Sequence, residues 1–142
     1  MTNVANTPAV DARQIQWELR AVLDIVEATF ARGTTPEELM PMWYDDEIIV
    51  AREGDTGAAR GIKAQMLKAG QLFPEMGPRP KVTFRMDDSV LALDTRAVAL
   101  INAEIQPDLP DSVSMDLRMM TAWRRGSRGW RIVREMCGVG SL

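Results

Sequence analysis

The apolar residues change period once along this chain, and that change limits the fold more than any single motif does. Through Phe73 they recur every three or four positions, and from Lys81 onward they alternate. A period of 3.6 places side chains on one face of a helix, and a period of two places them on one face of a strand. The chain therefore divides into a helical part followed by a sheet. Its 142 residues suit one ordinary domain and one core.

In the helical part, Asp11 with Gln14 fits a capping box. Ile15, Leu19, Val22, Val26 and Phe30 then follow at helical spacing, and Arg32-Gly33 ends the segment. Trp17 lies off that stripe and either packs a second face or belongs to an interface. "TTPEEL" supplies Thr35 as an N-cap, Pro36 at the first helical position and Glu38 as its capping partner. Pro41 keeps this second helix short, and "MWYDD" leads into the β-branched run Ile48-Ile49-Val50. "REGDTG" reads as a loop. A third helix is expected from Ala58 to Phe73, with Ile62, Met66, Ala69 and Phe73 on one side and Pro74 closing it.

In the sheet part, Val82, Phe84 and Met86 alternate with Lys81, Thr83 and Arg85, and turns follow near Asp87-Asp88 and Asp94-Thr95. Ala97 to Ile105 carries little charge and reads as a central strand. A long strand holds Val113, Met115, Leu117, Met119, Thr121 and Trp123 on one face. "RGSRG" then turns the chain into a last strand from Trp130 to Cys137. Helices first and strands afterwards imply an α+β fold, an antiparallel sheet with helices on one face. The first eleven residues, small and polar, are expected to form a loose segment ahead of a single domain spanning 12–142.

Composition excludes several functions. There is no histidine, and Cys137 is the only cysteine, which removes Ser-His-Asp, Cys-His and HExxH chemistry and the common zinc sites. No metal or cofactor is implied. A net charge of -3 gives no electrostatic footprint for nucleic acid. No segment has the length or character of a signal peptide or a membrane span, so a cytoplasmic protein with no membrane partner is expected.

The long first helix, "PEELMPMWYDDEIIV", "ARGIKAQM", "LDTRAVAL" and "TAWRRGSRGWRIVRE", in that order, resemble the nuclear-transport-factor-2-like superfamily, in its SnoaL-like and ketosteroid-isomerase-like branch. The resemblance covers residues 12 to 138. It implies a cystatin-like half-barrel, a cone-shaped curved sheet wrapped around the N-terminal helices over a hydrophobic cavity. It also implies a homodimer paired through the outer sheet face. The superfamily hosts isomerases, dehydratases and non-catalytic domains, so the fold alone selects no activity.

Matched residue by residue, the resemblance puts Ala51 where ketosteroid-isomerase-like proteins carry their aspartate base. It puts Val26 at their oxyanion-hole tyrosine and Met119 at their acidic hydrogen-bond donor. The closing His-x-Ser phrase of many SnoaL-like chains aligns with Met136-Cys137-Gly138. The implied pocket is thus apolar, with its usual proton-shuttling groups missing or moved.

Other chemistry must come from residues elsewhere. Asp45-Asp46-Glu47 is read as a solvated helix-to-strand turn in preference to a carboxylate cluster. Glu104, Asp116, Arg118 and Glu135 are polar residues within strands, and Asn102 shares a face with Glu104. If that face lines the cavity, Arg118 would bind a carboxylate or enolate, with Glu104 or Glu135 accepting a proton. If it faces outward, these residues form cross-strand ion pairs, and one bulge would reverse every later assignment. Trp43, Tyr44, Asn102, Met119 and Met136 are the expected pocket residues, and Trp123 and Trp130 add to the apolar set. Tyr44 is the only tyrosine and so the sole phenolic candidate. Cys137 reads as an inert buried thiol.

Two functional readings follow. In one the cone binds a small apolar or amphipathic molecule, with slow acid/base isomerase or dehydratase chemistry where any turnover occurs. In the other it is a non-catalytic dimerisation or accessory domain. An open cavity of roughly several hundred cubic ångströms with convergent polar groups separates the first reading from the second.

Overall fold

The computed structural model describes residues 11–142. Most of the expected loose N-terminal segment lies outside them. Asp11 belongs to the fold: its carboxylate accepts hydrogen bonds from the amides of Arg13 and Gln14 at 3.0 and 3.2 Å and starts helix α1, Ala12–Arg32. Gly33 closes α1 with φ 86°, a conformation that suits a residue without Cβ. Ile15, Leu19, Leu23, Val26 and Phe30 are the buried stripe of α1. Trp17 is 76% exposed.

Thr35 caps α2, Pro36–Trp43, by accepting from the Glu38 amide at 3.3 Å. The helix runs through Pro41 and passes straight into β1, Tyr44–Arg52, with no intervening turn at Asp45-Asp46-Glu47. The third helix differs from expectation at both ends. Ala59–Arg60 pairs with β1 as a short β2, so α3 starts at Ile62, and it carries Pro74 inside and ends at Met76. The remaining strands are β3 (Lys81–Met86), β4 (Leu91–Leu93), β5 (Arg96–Gln106), β6 (Met115–Gly126) and β7 (Gly129–Val139).

These form one open, curved sheet in the order β2-β1-β7-β6-β5-β3, with β4 also on β5. The fold class is α+β as expected, but the sheet is mixed: β1 lies parallel to β7, and every other pairing is antiparallel. Parallel pairing arises because the chain leaves β1 for α3 and returns to its side only with the last strand. Among the described residues no helix is long and apolar enough to cross a membrane.

The inner face of β5 is Ala97, Ala99, Ile101, Ala103 and Ile105, all buried. Three alanines on the central strand leave room between sheet and helices. On β6, Leu117, Met119, Thr121 and Trp123 face inward. Trp123 donates from Nε1 to Thr121 Oγ1 at 2.8 Å, and Thr121 donates to the Ala99 carbonyl at 2.8 Å, so this part of the core leaves no polar atom unpaired.

Strand β3 would be an exposed edge. Glu27 of α1 accepts from the Phe84 amide at 3.1 Å, Arg20 donates to the Phe84 carbonyl at 2.5 Å, and the two side chains pair with each other. The helix thus occupies backbone groups that another strand would otherwise use.

Register decides what enters the cone. Ala122 of β6 faces Arg134 of β7, but the next residue, Trp123, faces Ile132. Val133 is therefore an extra residue, a β-bulge. Before it Trp130 and Ile132 point inward; after it Glu135 and Cys137 do, while Met136 is 63% exposed on the outer face.

Candidate functional site

An unbroken alternation from Trp130 would place Arg134 and Met136 inside. The bulge at Val133 instead sends in Glu135 and Cys137, opposite Thr121 and Met119. Glu135 enters an apolar hollow of about 110 Å³ whose walls include Phe84, Ala103, Ile105, Leu117 and Met119. Tyr44 stands at the start of β1 and points into the same hollow.

The two residues meet. The Tyr44 hydroxyl donates to Glu135 Oε1 at 2.8 Å, with both residues at least 95% buried. Burial pushes the Glu135 carboxyl up to about 7, against the opposing pulls of the Tyr44 hydroxyl, the Cys137 thiol and the Arg52 guanidinium. Burial, followed by the Glu135 charge, holds the Tyr44 phenol well above its ordinary value. Burial also pushes the Cys137 thiol up to about 11, with Glu135 adding and Arg52 opposing. At neutral pH the tyrosine and cysteine are uncharged and the glutamate stands near its midpoint, the condition a general acid or base needs. Cys137 as a thiol is a poor nucleophile.

Three further polar groups line the hollow. Arg52 shares a strand face with Tyr44, Ile48 and Val50. Gln65, near the start of α3, is 5% exposed. Trp43 stacks on Tyr44 with ring centroids 4.6 Å apart, and its indole Nε1 is buried without a partner. Sequence reasoning missed Arg52 and Gln65. The parity of β1 marked Arg52, since 44, 48, 50 and 52 are all even positions; nothing in the sequence marked Gln65.

The expected site residues divide. Trp43, Tyr44, Met119 and Glu135 come together around the hollow. Glu104, Arg118, Asn102 and Met136 do not, because the inner set of β5 is odd-numbered and the bulge reverses the end of β7. Glu104 is exposed on the outer face, cross-strand from Asp116. Arg118 pairs with Glu53 at 3.2 Å on that face, so it cannot hold a ligand inside the cone. Asn102 is buried there instead, donating to Asp116 at 3.2 Å and accepting from the Leu142 amide at 3.3 Å as the C-terminal residues cross the sheet. Ala51, aligned with the missing base, is also exposed, and Val26 is core. The aligned positions thus carry no titratable group inside the hollow, and the buried titratable pair there, Glu135 and Tyr44, stands at other positions of β7 and β1.

Asp45 and Asp46 bind the terminal hairpin, pairing with Arg124 at 2.7 Å and Arg128 at 3.3 Å. Burial of Asp45 opposes ionisation, but the Glu47 amide and Arg124 outweigh it and hold the carboxyl below its ordinary value. This is not an acid poised near neutrality. Among the described residues no three acidic or thiol side chains converge as a metal site would require.

A second depression, about 420 Å³, adjoins the hollow and shares Phe30, Phe73 and Met76 with it. The Phe30 and Phe73 rings, 5.6 Å apart, stand between the two spaces. The loop beneath is pinned by Asp108, whose amide donates to the Met76 carbonyl at 2.7 Å and whose carboxylate accepts from the Arg79 amide at 3.2 Å. A side chain at Gly77 would collide with the Asp108 carbonyl.

No protein-family model matches the chain, and no curated protein matches it. Solved structures do. An NTF2-like superfamily protein from Salmonella enterica is 13% identical and superimposes with a TM-score of 0.71, covering 93% of this chain and 95% of that one. An NTF2-like protein of unknown function from Shewanella oneidensis is 12% identical, with a TM-score of 0.69 over 87% of this chain and 98% of that one. A ketosteroid-isomerase-like protein from Erwinia carotovora is 13% identical, with a TM-score of 0.60 over 89% and 96%. Cone, helix order and sheet order together make this chain a protein of the NTF2-like fold.

Proposed function

We propose that the cone binds a small, mostly apolar molecule and that Glu135, with Tyr44, moves a proton on it, chemistry of the isomerase or dehydratase kind. The observation that carries this reading is the 2.8 Å hydrogen bond between two buried titratable groups at the wall of an apolar hollow. A carboxyl near 7 is part ionised and part protonated at neutral pH, so it is available both to accept a proton and to return one. The neutral phenol beside it can hold charge that develops on an adjacent oxygen. Likeness of fold to a protein described as ketosteroid-isomerase-like agrees with this chemistry but does not select a substrate.

The hollow is smaller than the several hundred cubic ångströms expected of a free ligand site, which limits the substrate to a compact molecule unless Phe30 and Phe73 move apart. The test is proton exchange from small enolisable ketones, followed by deuterium incorporation. Glu135→Gln should lower the exchange rate about 10²- to 10⁴-fold, and equal rates in both proteins would refute the assignment.

The outer sheet face supports a second, compatible reading as a pairing surface for another copy of the chain. Ala51, Met136, Met120 and Leu100 stand in register across four neighbouring strands, and Met120 and Met136 are 52% and 63% exposed. A contiguous exposed apolar row of this kind is uncommon on a monomer.

A further inference from the structure

The polar groups around the hollow are unbalanced in kind. Trp43 Nε1 is a donor only, the Arg52 guanidinium offers donors only, and the Gln65 amide offers donors beside one acceptor. The Trp43 indole is buried with no partner. Its counterparts in Trp123 and Trp130 are both satisfied, by Thr121 Oγ1 at 2.8 Å and Glu18 Oε1 at 3.0 Å. No carboxylate lies within salt-bridge distance of Arg52 among the described residues. Gln65 is a second buried polar side chain at the hollow. A buried donor left unpaired is costly, so a complementary occupant offers acceptors. Arg52, whose charged neighbour at the hollow is a Glu135 carboxyl near its midpoint, has room for one further negative charge.

Around these groups the walls are hydrocarbon: Val82, Phe84, Ile105, Leu117 and Met119. A phosphate monoester would bring more charge than Arg52 balances and too little apolar surface for these walls. A volume of about 110 Å³ is below the roughly 150 Å³ of a cavity that takes a benzene ring, so the occupant has at most about six non-hydrogen atoms.

We infer that the hollow takes a compact monovalent carboxylate of aliphatic or unsaturated character. Its charged end pairs with Arg52, and its oxygens accept from Trp43 Nε1 and Gln65. The inference rests on the cone being a ligand site and names the class of molecule that Glu135 and Tyr44 act on.

The test titrates the full chain with butyrate and, separately, with butyramide, its neutral counterpart of the same size. Binding is read from the indole N–H resonance of Trp43, identified by its loss in Trp43→Phe. Butyrate should shift that resonance saturably and bind at least about tenfold more tightly than butyramide, as expected for a charged hydrogen bond. Arg52→Gln should remove that advantage and leave butyramide unchanged, with an unaltered melting temperature as the control for folding. Equal binding of the two probes, insensitive to Arg52→Gln, would overturn the carboxylate class and leave the apolar ligand site standing. No saturable shift with either probe up to its solubility limit would overturn both.

Discussion

Tyr44 and Glu135 lie 91 positions apart in the chain and meet through a 2.8 Å hydrogen bond inside the cone. They come from the first and last strands, which are neighbours because β1 and β7 pair in parallel. The closing strand thus completes both the sheet and the only tyrosine-carboxylate contact in the hollow.

Stability should fall as pH rises from about 4.5 to about 7. Glu135 in the folded chain holds its proton up to about 7, whereas its ordinary value is 4.5. Within that window the folded chain binds a proton that the unfolded chain has released, and raising the pH therefore favours unfolding. The expected loss is on the order of 3 kcal/mol. Denaturant midpoints measured across the window should show it, and Glu135→Gln should flatten the slope. An equally steep slope in the variant would place the linked proton elsewhere.

Tyr44→Phe should move the Glu135 midpoint further up. The phenol donates to the carboxylate and favours its ionised form, so removing it leaves burial less opposed. A rise of about one unit follows from the usual strength of such a bond. Carbon-13 titration of the labelled carboxyl would read it directly, and a downward move would contradict the arrangement.

Ala103→Leu and Ala99→Leu should behave differently although both sit on the inner face of β5. Ala103 lines the hollow, so the added carbons fill space that is already empty and abolish ligand binding without lowering the melting temperature. Ala99 is fully buried away from it, and the same change there should cost about 1–3 kcal/mol through overpacking. Thermal melts of the two variants decide the point.

Met120→Glu should yield a monomer. It places a charge in the middle of the apolar row formed by Ala51, Met136, Met120 and Leu100, where desolvation on pairing becomes unfavourable. Light scattering should report a dimer for the unaltered chain at micromolar concentration and half that mass for the variant. A monomeric unaltered chain would contradict the pairing surface.

Local chemistry explains which parts of this molecule were legible beforehand. The caps at Asp11 and Thr35, the stop at Gly33 and the alternation of β3, β5 and β6 act within a few residues of where they are written, and they appear as expected. The α3 boundaries were not legible because Ala59–Arg60 is a strand only by virtue of its β1 neighbour. Tyr44 and Met119 line the hollow, whereas Arg118, Glu104 and Asn102 stand on the outer face. An alternating strand has two faces, and only the packing of alanines 97, 99 and 103 against the helices shows which one is inside. Glu135 and Met136 exchanged places through a single unpaired residue that no local pattern announces.

That residue, Val133, has a consequence for how interiors in this architecture can diverge. With Val133 deleted, Ile132 would be followed directly by Arg134 and plain alternation would still send Glu135 and Cys137 inward, whereas flattening the bulge with every residue kept would send in Arg134 and Met136. A lineage could therefore gain or lose the extra residue and keep the same groups inside. Gapless alignments through this strand would then match residues that never share an environment.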